Sequence, residues 1–318
     1  MTASLDTYSL VAIYSAMAVY TFAFILFAVD LAKRSARAQE VPASVSVGQL
    51  ANAAARSTTA TLERADAPIA PVYRFERIAF ALTMLGWLLH IGGGVLRGIA
   101  QGFVPWANMF EFSLTSSAIV ITVFIALQLW QNLKFLGVYM VGFVLITLGV
   151  GTVNYYVPVK PLPDALDSFW LVIHVFVAAL GTALFAVGAG LSLIQLLQAR
   201  RESGKKSPGF LKTLPDAVRL ETLAYLVTVV GFVFWTFTLI AGSIWAERAW
   251  GRYWGWDTKE VWTFIIWVIY AGYIHARATR GWRGARSAWL AIIGFVAVMF
   301  NYTIVNLFFK GLHSYSGL

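Results

Sequence analysis

Eight apolar runs of about 20 residues restrict the fold of this 318-residue chain more than any other feature. A helix of about 20 residues crosses the hydrocarbon core of a bilayer, which is about 30 Å thick. Charged residues make up 12% of the chain, about half their usual share in soluble domains. We therefore predict an all-α polytopic membrane protein with about eight transmembrane helices, at 8–31, 75–96, 113–131, 135–154, 169–198, 221–243, 261–281 and 287–309.

Lysine and arginine are concentrated in alternate loops. With the N-terminus placed outside, 18 of the 24 lie in inner segments and 6 in outer segments. Basic residues collect on the cytoplasmic side of membrane proteins, so both termini are predicted to face outward. The net charge of +9 then reflects membrane orientation, and we expect no nucleic acid partner. The predicted location is a bacterial plasma membrane, with a thylakoid membrane as the alternative.

The chain divides into three predicted parts. Residues 1–31 form a retained N-terminal anchor, because the basic residues Lys33 and Arg34 follow the apolar run and none precede it. Residues 32–74 are rich in Ala, Ser, Thr and Pro, which is typical of a disordered cytoplasmic linker. Residues 75–318 form a seven-helix membrane domain. The chain has no phosphate-loop motif, which disfavours an ATP-driven pump.

The most informative segment, 245–262, precedes and enters the seventh predicted span and holds five of the 13 tryptophans. One interpretation is an interfacial aromatic belt, because tryptophan prefers the headgroup level. The other is a platform for a planar apolar ring, since the indoles have broad flat faces. Gly251 and Gly255 would allow close backbone approach to such a ring. The loop of residues 244–260 is predicted to lie outside.

The string WGRYWGWDTKEVW at 250–262 resembles the tryptophan-rich WWD signature of the haem-handling protein superfamily. The segments PWANMFEF at 105–112 and GLHSYSG at 311–317 are also similar to the family, so the resemblance extends from about residue 75 to the C-terminus. The length and the eight spans fit the CcsA (ResC) type, a subunit of the System II cytochrome c synthase. The CcmC proteins are shorter and the CcmF proteins much longer.

The resemblance implies that three histidines ligate the iron of haem b. His174 and His313 match the outer pair that flanks the WWD loop, and His275 matches a ligand for haem within the membrane. The other haem-binding residues predicted from the motif are Trp245, Trp250, Trp254, Trp256 and Asp257. His90 has no firm match, and we expect it to make a local hydrogen bond.

For the charged residues near the loop, the sequence leaves more than one role open. The candidates for binding the haem propionates are Arg97, Arg248, Arg252 and Lys259, and each is equally an ordinary interfacial anchor. Asp257 and Glu260 are expected to fix the loop through hydrogen bonds to indole or backbone groups. Glu111 resembles an acidic position of the family, with no role assigned.

The implied function is cytochrome c biogenesis by a holocytochrome c synthase (haem lyase) subunit. Haem moves to the outer face and is presented for thioether attachment to the Cys-x-x-Cys-His motif of apocytochrome c. A membrane partner of the ResB type is expected from the resemblance, besides the apocytochrome and the surrounding lipid. The alternatives are a haem exporter without synthase activity and an electron-carrying membrane cytochrome b.

The topology can be tested directly because the chain has no cysteine. Single cysteines introduced within 155–168 or 244–260 should react with a membrane-impermeant maleimide applied outside, and single cysteines within 200–219 should not. Labelling of intact cells, compared with lysed cells as the control for reactivity, measures this. The reverse pattern would contradict the orientation and the outer site together.

Overall fold

The computed structural model describes residues 2–40, 73–279 and 281–313, and this part of the chain is helical without strands. Eight long helices follow one another along it: α1 Thr2–Glu40, α2 Arg74–Gln101, α3 Met109–Leu127, α4 Gly137–Asn154, α5 Phe169–Glu202, α6 Ala217–Trp250, α7 Thr258–Thr279 and α8 Ala285–Phe300. A π-helical turn, Asn301–Val305, and a short helix, Asn306–Phe308, continue α8. The eight predicted helices are confirmed, and the chain is an integral, polytopic membrane protein.

Seven of these helices are long and apolar enough to cross a membrane, and α7 is not among them because its tryptophans, tyrosines and polar residues lower its hydropathy. Its neighbours nevertheless determine its course. The start of α8 lies beside the start of α6, where the Gly284 N–H donates to Glu221. The continuation of α8 lies beside the start of α7, where Lys259 donates to Asn306. Since α6 and α8 run in the same direction, α7 makes the return crossing between them.

The loops fall into two groups, one at each end of the bundle. We call one the tryptophan end; it holds the start of α1 and the segments 102–108, 155–168, 251–257 and 309–313. Arg97 joins Asp6 to the Val157 carbonyl there, and the Trp245 indole donates to the Ala165 carbonyl. The opposite end holds 128–136, 203–216 and 281–284. This grouping agrees with the predicted alternation of outer and inner loops, while the side of the membrane stays a prediction.

The first helix packs along α2 over its whole length. Ser9 donates to the Gly93 carbonyl at 2.7 Å, and the ring of Tyr20 lies so close to Gly86 that a methyl group there would collide with it. At the opposite end Arg34 binds Glu76. The helix predicted as an anchor is therefore an integral part of the bundle.

The expectation that a disordered linker begins at residue 32 is wrong for residues 32–40, which continue α1. These residues are mostly Ala, Arg, Lys, Gln and Glu, all good helix formers. Arg34 is buried and binds Asp30 one turn earlier on the same helix, besides its bond to Glu76. Residues 41–72 of the predicted linker lie outside the described residues.

The sixth helix also extends beyond its prediction, which ended at residue 243. It continues for two more turns to Trp250 and ends at Gly251, whose φ of 70° is the left-handed conformation typical of a glycine C-cap. Trp245 and Trp250 therefore lie on a helix, and the loop is limited to 251–257. The helical spacing turns both indoles towards the neighbouring segments of the tryptophan end.

Candidate functional site

A cavity opens between α3, α5, α6, α7 and α8 at the tryptophan end and reaches α4 at its inner limit. The volume that water can enter is about 210 Å³, whereas a single buried water needs only about 10–15 Å³. Its wall is mostly apolar, with side chains such as Phe112, Leu171, Val175, Trp235, Leu239 and Val298. The cavity therefore has the size and the surface of a site for an apolar ligand.

His174, in the second turn of α5, lines this cavity. Its Nδ1 lies 3.0 Å from the Thr238 carbonyl oxygen. A carbonyl only accepts, so Nδ1 carries the proton and donates it, which leaves Nε2 with an unshared electron pair. Gly242 makes room for the ring, because a Cβ at this position would lie 2.6 Å from it. The fold thus holds the imidazole in the tautomer that a metal ligand requires.

His313, on the segment after α8, lines the same cavity. Its Nδ1 lies 3.1 Å from Oδ1 of Asp257, which also accepts from the backbone N–H groups of Lys259 and Leu312. The bond from His313 is the main reason that the pKa of Asp257 falls to about 2, below its ordinary value of 3.8. Because the carboxylate accepts, Nδ1–H donates, and Nε2 is again the nitrogen left for a ligand.

Trp245 contacts both histidines. Its ring stacks on His174 at a centroid distance of 5.8 Å and meets His313 edge-on at 5.5 Å. Its indole N–H donates to the Ala165 carbonyl, and the side chain is only 2% exposed, so the ring is fixed in place. Trp250 packs on both Trp245 and His313. The two indoles therefore pack against the imidazoles from different directions and do not form one flat surface.

The other two motif tryptophans pack against each other edge to face, at a centroid distance of 5.8 Å. Trp254 lines the cavity, whereas Trp256 is 75% exposed, with a φ of 60° that is rare for a residue other than glycine. The structure brings His174, His313, Trp245, Trp250, Trp254 and Asp257 together and leaves Trp256 and His275 outside this group. Haem binding by all of these residues stays a prediction.

Glu260 holds the loop in shape. Its Oε2 accepts from the backbone N–H groups of Gly255 and Asp257 at 2.8 and 3.0 Å, and its Oε1 faces Arg252 at 3.4 Å. The expectation that Asp257 and Glu260 fix the loop through backbone groups is confirmed by these bonds. Asp257 adds the direct bond to His313, which the motif did not predict.

The cavity coincides with the region that is shared with known proteins. The family model described as "Cytochrome C assembly protein" matches residues 106–313, which begin and end at residues that line the cavity. This chain belongs to that family.

The curated relatives of this cytochrome c assembly protein include proteins named "Cytochrome c biogenesis protein CcsA". The protein of Guillardia theta is 33% identical over 240 residues, which cover 70% of this chain and 80% of the relative. The protein of Parasynechococcus marenigrum (strain WH8102) is 34% identical over 264 residues, which cover 74% and 85%. The chain is of the CcsA type, as the motif predicted, and has a role in cytochrome c biogenesis.

The remaining two histidines of this cytochrome c assembly protein differ in environment. His275 is exposed on the side of α7 that faces away from the bundle. It lies in line with Phe264, Val268 and Gly272 and does not line the cavity. His90 is fully buried, with Nε2 2.9 Å from the Leu114 carbonyl and Nδ1 3.4 Å from the Tyr20 hydroxyl. The expected local hydrogen bond of His90 is confirmed.

The four basic residues considered for binding the haem carboxylates also differ in their environments. Arg97 is fully buried, binds Glu111, Asp6 and the Val157 carbonyl within the chain, and does not line the cavity. Its partner Glu111 also accepts from the Ala107 N–H and so fixes the cavity rim. Arg248 is exposed away from the cavity, and Arg252 binds Glu260. Lys259 lines the cavity.

Sequence reasoning missed several residues of the cavity wall. Asn301, Tyr302 and Asn306 line it from the π-helical turn and the residue after it. A π-helical turn in an α-helix frequently marks a functional site. The available signal was the pair of asparagines in an otherwise apolar run, since polar side chains within a span usually face the bundle interior.

The low pKa of Asp257 predicts how the site depends on pH. A carboxylate with a pKa lowered from 3.8 to about 2 stabilises the folded site above pH 4, and this contribution is lost as the pH falls from about 4 to about 2. The fluorescence of Trp245 and Trp250, which pack on His313, should therefore change as the pH falls below about 4.

The Asp257→Asn variant should lose most of this acid transition, because a neutral amide has no charge to titrate. Asp167→Asn, at an exposed carboxylate of the same end, is the matched control and should keep the wild-type transition. An unaltered transition in Asp257→Asn would show that another group governs the acid behaviour of the site.

Proposed function

We propose that this chain binds haem b at the tryptophan end, between His174 and His313, and presents it for covalent attachment to apocytochrome c. The observation that carries the proposal is the matched state of the two imidazoles. Both line one cavity, and each donates its Nδ1–H to a fixed acceptor, so both keep Nε2 for an iron. Metal-ligating histidines usually have such a partner on the second ring nitrogen.

The rest of the cavity supports the same ligand. Haem is a planar apolar ring with an iron at its centre and two carboxylates at one edge, and the wall supplies apolar and aromatic side chains with few polar groups. Trp245 packs on both imidazoles and so helps to hold their positions. The electron-carrying cytochrome b alternative is not favoured, because its ligands face each other across the bundle and these lie at one end of it.

The chemistry proposed for the site is one of orientation. The chain has no cysteine, so the two thiols that add across the vinyl groups of haem come from the apocytochrome. The histidine of its Cys-x-x-Cys-His motif then replaces one axial ligand. His174 and His313 contribute by holding the iron until this exchange, which places the vinyl groups and the thiols in contact. The tryptophan end would face outward for this purpose.

Entry of haem is proposed to involve His275. This residue is 16 positions after Lys259 on α7, or roughly 24 Å along the helix, so it lies near the opposite end. Its exposed face continues through Gly272, where added atoms would meet open space. We propose that a membrane partner of the ResB type covers this face and supplies the second ligand for haem at His275.

The outer pair is tested by His174→Ala and His313→Ala. Each variant should lower covalent cytochrome c at least tenfold at equal protein abundance, because a lost iron ligand is not replaced by a neighbouring side chain. Haem staining of gels measures the product, and immunoblotting measures the chain. Lys160→Ala, at an exposed position of the same end, is the control and should match wild type.

Two further measurements distinguish the loss of an iron ligand from other causes of a lower product level. Imidazole added to the medium should restore product in His174→Ala if the cavity is intact, because it replaces the missing nitrogen. Haem supplied outside should not restore product in either variant. Restoration by external haem would mean that the chain only exports haem, and normal product without any addition would exclude the two-ligand site.

The proposed entry ligand is tested by His275→Ala in the complex with the partner. Haem per complex, measured as the pyridine haemochrome, should fall several-fold, and imidazole should raise it again. Val296→Ala, at a lipid-exposed position of α8, is the control. An unchanged haem content in His275→Ala would remove this residue from the pathway and leave the outer site unaffected.

A further inference from the structure

Lys259 has an unusual environment for a lysine at a helix end. It lies in the first turn of α7, and its side chain lines the cavity that holds His174 and His313. Within the described ranges it is the one lysine or arginine on the cavity wall. Lysines at the ends of spanning helices usually extend towards the water–lipid interface, so a lysine directed into an apolar cavity needs an explanation.

The partner of Lys259 is neutral. Its ammonium donates to the side-chain oxygen of Asn306, which follows the π-helical turn of α8. The amide nitrogen of Asn306 donates to the Tyr302 carbonyl at 2.9 Å, and this bond fixes the amide with its oxygen towards the lysine. An ammonium has three N–H donors, so Asn306 uses one of them and supplies no negative charge.

The nearby carboxylates are bound to other groups. Asp257 accepts from the His313 ring and from two backbone N–H groups, and Glu260 accepts from two backbone N–H groups and faces Arg252. In the part of the chain that the structure describes, no carboxylate lies within 4.0 Å of the Lys259 ammonium.

Two buried arginines of the described residues differ from Lys259 in their partners. Arg34 and Arg97 each bind two carboxylates. A buried cation without a counter-charge is unfavourable, and this chain provides counter-charges at both arginines. Asp257 attracts Lys259 without contacting its ammonium and is bound to three other donors, so the ammonium keeps N–H donors for an anion in the cavity.

We infer that Lys259 binds a carboxylate of the haem substrate. The inference rests on the proposed function and extends it. Two axial histidines fix the iron but leave the ring free to rotate about the axis that joins them. A charge at one point of the wall attracts the edge of the ring that carries the propionates, so it selects one rotational orientation. Lys259 thereby determines which edge of the ring faces the incoming thiols.

The inference is tested by comparing haem with its dimethyl ester, which has the same ring and iron but no carboxylate charge. Binding is measured by absorbance titration of the purified full-length chain in detergent. Wild type should prefer haem over the ester by roughly tenfold to a hundredfold, the range for a hydrogen bond to a charged group. The preference is compared between variants, so that different partition of the two ligands into micelles cancels.

Three variants separate charge from packing. Lys259→Gln keeps a donor for Asn306 but has no charge, and it should lose most of the preference for haem while binding the ester as wild type does. Lys259→Met should behave in the same way if it folds. Lys160→Met, the exposed lysine of the same end, is the matched control and should keep the full preference.

The outcomes that would overturn the inference are distinct. An equal loss of affinity for haem and ester in Lys259→Gln would mean that the residue only links α7 to α8. An unchanged preference would mean that the carboxylates bind elsewhere. If wild type bound neither ligand, or if His174→Ala left the haem spectrum unchanged, the proposed function would fail as well. A haem spectrum that depends on His174 but not on Lys259 would overturn this inference alone.

Discussion

A chain surrounded by hydrocarbon has to satisfy its polar groups internally, because the lipid offers no hydrogen-bond partner. Around Arg34 and Arg97 this bundle supplies pairs of carboxylates, and around His90 it supplies the Leu114 carbonyl as an acceptor and the Tyr20 hydroxyl as a donor. These groups connect α1, α2 and α3. Polar groups of the cavity wall that can still bind a ligand are therefore informative. The Nε2 atoms of His174 and His313 and the charge of Lys259 are such groups, and all three residues line one cavity.

The carboxylate of Asp257 connects two segments that are far apart in the sequence. It belongs to the tryptophan motif, and it accepts from the N–H of Leu312 and from the ring of His313 on the C-terminal segment. Glu260 in turn fixes Asp257 through its backbone N–H. The conformation of the loop therefore determines the orientation of one imidazole. This dependence gives a physical reason for an aspartate at position 257 of the tryptophan motif.

The sequence predicted the parts of the fold and the site that depend on composition and on the motif. Long apolar runs specify helices, and charge alternation grouped the loops correctly. Single helix ends were not predictable in this way. The sixth helix continues to Trp250 because the glycine that ends it comes eight residues after the predicted end of the apolar run, and α1 continues to Glu40 through residues that are good helix formers. The outward position of Trp256 and the bond between Lys259 and Asn306 depend on local backbone and tertiary contacts, which no pattern of residue types contains.

His275 differs from His174 and His313 in how well this chain fixes its ring. His174 and His313 each have an acceptor for Nδ1 and an aromatic neighbour within this chain, so both positions are preorganised before any ligand arrives. His275 lies on an exposed face, and in the described residues its ring has no hydrogen-bond partner to fix a tautomer. A ligand site needs such a partner for a defined orientation. Under the proposed function, both iron ligands of the site at the tryptophan end would come from this chain, whereas haem at His275 would need a second ligand from a partner that packs against α7.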